Sequence, residues 1–223
     1  MRRLAIAAVV VTAAACGGGG TNTNNTTGPS VTNHNPAVTA SVSPTFGIDS
    51  LTIFTFTASA TDADGDPMTY SWRIGNGTYG SQNVQLSFVG GGSGTGQVTV
   101  SDGKGGSGTG TTQTFTVGSM TGKWRLRATD YANWIWDFTL RQTSGLITGT
   151  FIDNEYGPGR LDPAEPSTIS GNGTVVMRTK LDPYGDVYVR GKMDTTGRRI
   201  TGTLEGRSLT RNHQPFIMDK IGS

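Results

Sequence analysis

The sequence predicts an all-β protein made of a β-sandwich followed by a small antiparallel β-barrel. Short runs rich in β-branched and aromatic residues recur along the chain at spacings of about ten residues, which is typical of sandwiches and barrels. Clusters of Gly, Asn, Asp and Ser separate these runs, as turns require. No run has the apolar period of an amphipathic helix.

Residues 1–15 have the pattern of a secretory signal peptide. Arg2 and Arg3 precede the segment from Leu4 to Ala15, which is apolar apart from Thr12. A membrane-spanning helix needs about 20 apolar residues, so this segment is too short to span and is expected to be removed.

Cys16 is the only cysteine of the 223 residues. The stretch Ala13-Ala14-Ala15-Cys16 resembles a bacterial lipobox, which implies that the thiol carries a diacylglycerol and that acyl chains such as palmitate anchor the protein. Gly17 and Gly18 follow in place of Asp, which resembles lipoproteins of the cell outer membrane. Ordinary signal cleavage is the alternative and would give a secreted protein with a free thiol. An unpaired thiol is a liability in an oxidising compartment, so we favour lipidation.

Residues 16–35 predict a flexible tether, since they are mostly Gly, Asn and Thr and cannot bury enough apolar surface to fold. Without Arg2 and Arg3 the 18 basic and 16 acidic residues become balanced. The basic surplus that a nucleic-acid-binding protein needs is therefore missing from the sequence.

Residues 36–118 predict the sandwich. In TIFTFTA, Phe54 and Phe56 alternate with threonines, which places them on one face, and Trp72 is expected to pack between the sheets. The segments ATDADGDPMTYSW and VTVSDGKGGS resemble the paired signature of bacterial immunoglobulin-like modules of the PKD and cadherin-like type. The resemblance implies an immunoglobulin-like fold and leaves the activity open.

Asp62, Asp64 and Asp66 place three carboxylates within five residues, and Asp102 is the candidate fourth ligand from a second loop. Calcium takes six to eight oxygen ligands, so this cluster is a candidate calcium site. The alternative is a plain turn, because Asp and Gly tolerate turn backbone angles.

Residues 119–223 predict the barrel from eight candidate strands, which are KWRLRAT, WIWDFTLRQ, LITGTFID, STISGNG, TVVMRTKL, DVYVRGKM, RRITGTLEG and QPFIMDK. The unit resembles lipocalin-like bacterial barrels in Gly122-Lys123-Trp124 and in a basic residue of the last strand, Lys220. The resemblance implies that Trp124 closes one barrel end beneath this cation, which is usually arginine in the family. Gly149 and Gly202 lie in a repeated Ile-Thr-Gly-Thr pattern and are expected to leave room for large side chains opposite, such as Trp134 or Trp136.

Trp134 and Trp136 alternate on one strand face, and Tyr131 lies just before them. These three are candidate ligand-binding residues, as in a sugar-binding strip. Barrel lining is the alternative for the two tryptophans, because large aromatic residues dominate cores. A barrel of this size is either filled by its own side chains, which we favour, or holds one small apolar ligand.

Catalysis has little support in the sequence. His213 is the only histidine outside the tether, and a Gly-x-Ser-x-Gly elbow for a nucleophile is missing. Glu155, Asp162 and Glu165 are the candidates for a glycosidase-like carboxylate pair, with solvated loop residues as the alternative. We expect that the protein is not an enzyme.

The expected function is that of a lipid-anchored cell-envelope protein with a binding or structural role. The sandwich would act as a spacer, and the barrel would present its loops, above all 153–166, to an envelope protein or a polysaccharide. The alternatives are a carrier of a small lipid or apolar ligand in the barrel and a secreted carbohydrate-binding or hydrolytic protein.

Overall fold

The computed structural model describes residues 32–130, 133–181, 185–206 and 213–223. These residues form nineteen β-strands and no helix, which confirms the predicted all-β class. Within these ranges, no helix is both long and apolar enough to cross a membrane.

Ten strands form the sandwich: β1 Ala37–Ser43, β2 Phe46–Ile48, β3 Phe54–Thr61, β4 Thr69–Ile74, β5 Gly77–Tyr79, β6 Asn83–Leu86, β7 Gly92–Gly94, β8 Gly96–Ser101, β9 Ser107–Thr111 and β10 Phe115–Gly118. They make three sheets with the strand orders β1-β3-β6, β5-β4-β8-β9 and β2-β10-β7. The pair β2–β10 is parallel, and the other pairs are antiparallel.

The sandwich core follows from the alternation of side chains along its strands. Phe54, Phe56 and Ala58 of β3 are buried, whereas the threonines and serine between them face outward. Trp72 of β4 is fully buried as predicted and meets Phe56 edge to face, with 6.0 Å between the ring centroids. A single aromatic cluster therefore holds the sheets together.

Nine strands form the barrel: β11 Gly122–Ala128, β12 Ile135–Thr143, β13 Leu146–Asp153, β14 Gly157–Leu161, β15 Ser167–Ile169, β16 Thr174–Leu181, β17 Gly185–Met193, β18 Arg199–Glu205 and β19 Gln214–Gly222. All pairs are antiparallel, and the pairing β12–β13 closes the sheet. The short strands β14 and β15 share one position between β13 and β16. The barrel therefore has eight strand positions.

The barrel interior is occupied by the chain's own side chains. Large residues from every part of the barrel are buried in one cluster, among them Trp124, Leu126, Trp136, Phe138, Phe151, Met177, Leu204, Phe216 and Met218. Phe151 packs on Phe138 and Trp136 with centroid distances of 5.2 and 5.1 Å. Among the described residues, this packing gives the barrel a continuous apolar core.

Gly149 and Gly202 have a different role from the one predicted. A Cβ atom on Gly149 would lie 2.2 Å from the carbonyl oxygen of Thr139, and one on Gly202 would lie 1.9 Å from that of Arg190. These glycines therefore allow the backbone of the neighbouring strand to approach closely, and they do not make room for tryptophans.

The predicted loop 153–166 contains a strand that the sequence analysis missed. β14 pairs with the end of β13 and with β16, so only short segments on either side of it remain as loops. Its sequence, GPGRL, has few β-formers, which explains the error.

Candidate functional site

The three clustered carboxylates come together at one end of the sandwich, in the turn between β3 and β4. One carboxylate oxygen each from Asp62, Asp64 and Asp66 lies within 4.8 Å of the others. Asp62 Oδ1 accepts hydrogen bonds from the backbone N–H groups of Asp64 (2.9 Å) and Asp66 (3.3 Å). These bonds are those of an Asx turn, with Gly65 at a φ of 75°.

Asp102, the predicted fourth ligand, is not part of this group. It is 2% exposed, and its Oδ1 accepts hydrogen bonds from the backbone N–H groups of Lys104 (2.7 Å) and Gly106 (2.9 Å). Oδ2 accepts one from Asn33 Nδ2 at 2.8 Å. The Asn33 amide, followed by the two backbone donors, holds the pKa of Asp102 below its usual range. The carboxylate therefore fixes its own loop and lies outside the group of three carboxylates.

Residues that the sequence assigns to the tether are bound to this same end of the sandwich. The backbone N–H of His34 donates to Asp64 Oδ2 at 2.6 Å, and His34 Nδ1 lies 3.0 Å from Asp64 Oδ1. These bonds lower the pKa of Asp64. Asn35 Oδ1 accepts from the backbone N–H of Ser107. Residues 33–35 therefore lead into the sandwich beside the acidic turn.

The opposite end of the sandwich is joined to the barrel through a buried polar connection, which we call the joint (Asp49, Ser119, Met120 and Gln142). Gln142 Nε2 donates to the carbonyl oxygen of Asp49, and Gln142 Oε1 accepts from the backbone N–H of Met120, at 3.0 and 2.9 Å. Ser119 Oγ donates to Asp49 Oδ2 at 2.9 Å. All four residues are at most 8% exposed, so the joint is shielded from water.

Apolar contacts reinforce the joint. Ile48, which belongs to strand β2 of the sandwich, is buried within the core cluster of the barrel, and Phe46 packs against that cluster. The two cores therefore meet, and the sandwich and the barrel form one compact unit from Asn33 to Ser223. Neither Asp49 nor Gln142 stands out in the sequence, because a buried hydrogen bond between distant residues has no signature in a single sequence.

Trp124 and Lys220 lie at the barrel end that faces the joint. Trp124 is fully buried, and its Nε1 donates to the carbonyl oxygen of Met120 at 2.9 Å. Lys220 Nζ lies 5.5 Å from the centroid of the Trp124 ring and donates to the carbonyl oxygen of Ser119 at 3.1 Å. Burial lowers the pKa of Lys220, and the nearby charge of Arg198 adds to that effect.

The two candidate binding tryptophans belong to the other end of the barrel. Trp136 is 1% exposed, so its ring is not available to a ligand. It lines the barrel interior, which is the alternative that the sequence left open. Trp134 is half-buried and meets Trp136 edge to face. Both indole N–H groups donate to Oδ2 of the buried Asp153. Tyr131 and Cys16 lie outside the described residues.

Two of the three candidate acidic residues, Asp162 and Glu165, are held in an ion network centred on Arg178. Asp162 is 7% exposed, and its Oδ2 lies 3.5 Å from Arg178 Nε. Glu165 pairs with Arg178 and accepts a hydrogen bond from the hydroxyl of Tyr188 at 3.0 Å. Asp186 and Glu165 raise the pKa of Arg178. Asp162 and Glu165 therefore both serve as ion-pair partners of Arg178.

His213 and Glu155 do not complete a catalytic arrangement. The side chain of His213 is 70% exposed, and its Nε2 lies 3.5 Å from Glu205 Oε1. Glu155 is exposed in the turn after β13, where its backbone N–H donates to Asp153 Oδ1. Neither residue is brought to a nucleophile among the residues described.

Comparisons with known proteins bear on the sandwich. Residues 33–117 match the PKD domain family, which agrees with the predicted immunoglobulin-like module. No curated protein matches the chain. One solved structure is titled "Structural basis for the promiscuous specificity of the carbohydrate-binding modules from the beta-sandwich super family". It aligns with 85% of this chain and 85% of its own chain, at 14% identity and a TM-score of 0.38.

Proposed function

Since an N-terminal PKD domain is joined here to a closed eight-stranded barrel, we propose that the protein is a lipid-anchored cell-envelope protein with a binding or structural role. Its lipid is attached to Cys16 and holds it at the outer membrane. The PKD domain is a spacer, and the barrel is the module that it presents. No catalytic step is part of this function.

The observation that carries the proposal is the position of the two ends of the sandwich. The chain enters at Asn33 and His34, beside Asp102 and Asp64, and the barrel is attached at the opposite end through Asp49. Strand β1, with 7 residues, separates these ends by about 23 Å at a rise of about 3.3 Å per residue. An anchor that precedes Asn33 would therefore attach the protein to the membrane through the end of the sandwich that is opposite the barrel.

The joint supports a spacer role, because a spacer fixes the position of what it carries only if the connection is stiff. The Gln142 side chain bonds to Asp49 of the sandwich and to Met120 of the linking segment, and Ile48 is packed in the barrel core. A flexible linker would make none of these contacts.

The filled barrel argues against carriage of a small apolar ligand in its interior. Its interior holds bulky buried side chains such as Trp136, Phe151 and Phe216. A partner would therefore contact the outer surface of the barrel.

The anchor is tested by detergent-phase partitioning and intact mass of the mature protein. We expect the wild type to enter the detergent phase and to carry acyl mass on Cys16. Cys16→Ala should remain in the aqueous phase, and the matched variant Ala13→Leu, which is closer to the lipobox pattern, should still partition into detergent. Wild-type protein without acyl mass, free in the culture medium, would refute the anchor.

A further inference from the structure

A groove of about 470 Å³ runs between the sandwich and the barrel, next to the joint. The sandwich contributes Gly91, Gly92, Ser93 and Thr116 to its walls, and the barrel contributes Arg198 and Lys220. Hydroxyl groups, bare glycine backbone and two cations therefore line it. Ser223, the last residue of the sequence, also lies in its wall, and none of the described residues that line it is an Asp or a Glu.

Lys220 has N–H donors in this groove that the described hydrogen bond does not use. Its ammonium group carries three N–H donors, and the contacts described for it are one hydrogen bond to the carbonyl oxygen of Ser119 and the face of the Trp124 ring. Within the described ranges, no carboxylate lies at ion-pair distance from it. The nearby Asp49 already accepts hydrogen bonds from the hydroxyls of Ser119 and Ser50.

Arg198 contributes the second cation. It is exposed, and among the residues with described positions it makes no ion pair. The next residue, Arg199, is in contrast bound by both its Nε and Nη2 atoms to the carboxylate of Asp219, at 2.7 and 3.3 Å. Arg198 and Lys220 are close enough for the arginine to disfavour the charge on the lysine. Two neighbouring cations without a counterion are stabilised by an anion between them.

The groove also has space beside these cations. A Cβ atom on Gly92 would meet no atom within 4 Å, although Gly92 lies in a paired strand. The hydroxyls of Ser93 and Thr116 are hydrogen-bonded to each other at 3.1 Å on the same wall, which leaves one of their two protons for a ligand oxygen.

We propose that the groove between the sandwich and the barrel binds an oxyanion, a phosphate or carboxylate group of a small ligand, through Arg198 and Lys220. The hydrogen-bonded hydroxyl pair of Ser93 and Thr116 supplies one further donor. Because the groove uses residues of both domains, the ligand binds only while the joint is intact. The proposal does not depend on the lipid anchor.

Isothermal titration with inorganic phosphate at constant ionic strength tests this site. We expect saturable binding, weakened about tenfold by Arg198→Gln, since one charge-assisted contact is lost. Arg199→Gln is the matched control, because it removes the same charge one position away outside the groove, and it should bind like the wild type. Gly92→Asp places a carboxylate in open space beside the cations and should abolish binding without a loss of stability.

The source of the oxyanion is distinguished with the Cys16→Ala protein, in which an acyl anchor plays no part. Sedimentation with phosphatidylglycerol vesicles, but not with phosphatidylcholine vesicles, that is lost in Arg198→Gln would identify a lipid headgroup. Phosphate binding without sedimentation would identify a soluble ligand. The site is refuted by the absence of saturable phosphate binding or by equal losses in Arg198→Gln and Arg199→Gln.

Discussion

Replacement of Gln142 by alanine tests whether the sandwich and the barrel are one body. The amide of Gln142 makes three hydrogen bonds, to the backbone of Asp49, Met120 and Ser144, and the residue is 8% exposed. Alanine would leave the carbonyl oxygen of Asp49 and the N–H of Met120 buried without their partner.

The expected loss follows from these two orphaned groups. Each buried group without a hydrogen-bond partner costs about 1–3 kcal/mol, so the free energy of unfolding should fall by about 3–4 kcal/mol. For a protein of this length, about 3 °C is lost per kcal/mol, which gives a fall of about 10 °C in Tm.

The assay is urea unfolding followed by tryptophan fluorescence and by circular dichroism. Wild type should unfold in a single transition with both probes, whereas Gln142→Ala should show a weakened or divided transition because the two cores separate. Gln113→Ala is the matched control: Gln113 is exposed, and its Nε2 makes one hydrogen bond, to the carbonyl oxygen of Val42. It should lose less than about 1 kcal/mol. Equal, small losses in the two variants would refute the argument for a stiff joint.

Three further predictions concern the strand contacts, the buried lysine and the acidic turn. Gly202→Ala should destabilise the barrel by about 3 kcal/mol in a denaturant titration, because its Cβ would lie 1.9 Å from the carbonyl oxygen of Arg190. Gly92→Ala is the control and should be nearly neutral, since its Cβ would meet no atom within 4 Å. Equal effects of the two substitutions would contradict the close-approach argument. Burial lowers the pKa of Lys220 below its usual value of 10.5. At pH values just below 10.5, the unfolded chain therefore binds more protons than the folded protein. The free energy of unfolding of the wild type, relative to Lys220→Met, should therefore rise with pH towards 10.5; a flat or falling difference would show that Lys220 is not desolvated. Calcium at millimolar concentration should leave Tm unchanged in a melting scan, because Asp64 and Asp102 already accept N–H hydrogen bonds, whereas a rise that a chelator reverses would establish a calcium site.

The sandwich was predictable because its signals are local. The alternation of Phe54 and Phe56 with threonines assigns one face to the core, and the Asp-rich turn before β4 follows from residue preferences alone. Most barrel strands were predictable for the same reason. β14 was not, because its Gly-Pro-Gly sequence forms a strand only through pairing with β13 and β16.

The positions that connect the parts were not predictable from one sequence. The bonds between Gln142 and Asp49 join residues far apart along the chain, and a glutamine in a strand is more often a surface residue. Asp102 shows the opposite case: its acidic neighbours suggested a metal ligand, whereas its oxygens bind Asn33 and two backbone N–H groups. The groove beside Arg198 depends on the docking of the two domains, which no local pattern encodes.

The spacer arrangement is tested most directly by energy transfer from the protein to an acceptor dye in the bilayer. Cys16 is the only native thiol and would be consumed by the proposed acylation, so a single introduced cysteine can be labelled selectively. Lys104 is exposed at the end of the sandwich where the chain enters, and Glu155 is exposed at the end of the barrel away from the joint. We predict efficient transfer from a donor dye on Lys104→Cys and weak transfer from one on Glu155→Cys in the membrane-bound protein. Equal transfer from the two positions would contradict the account, because the sandwich would then not separate the barrel from the membrane.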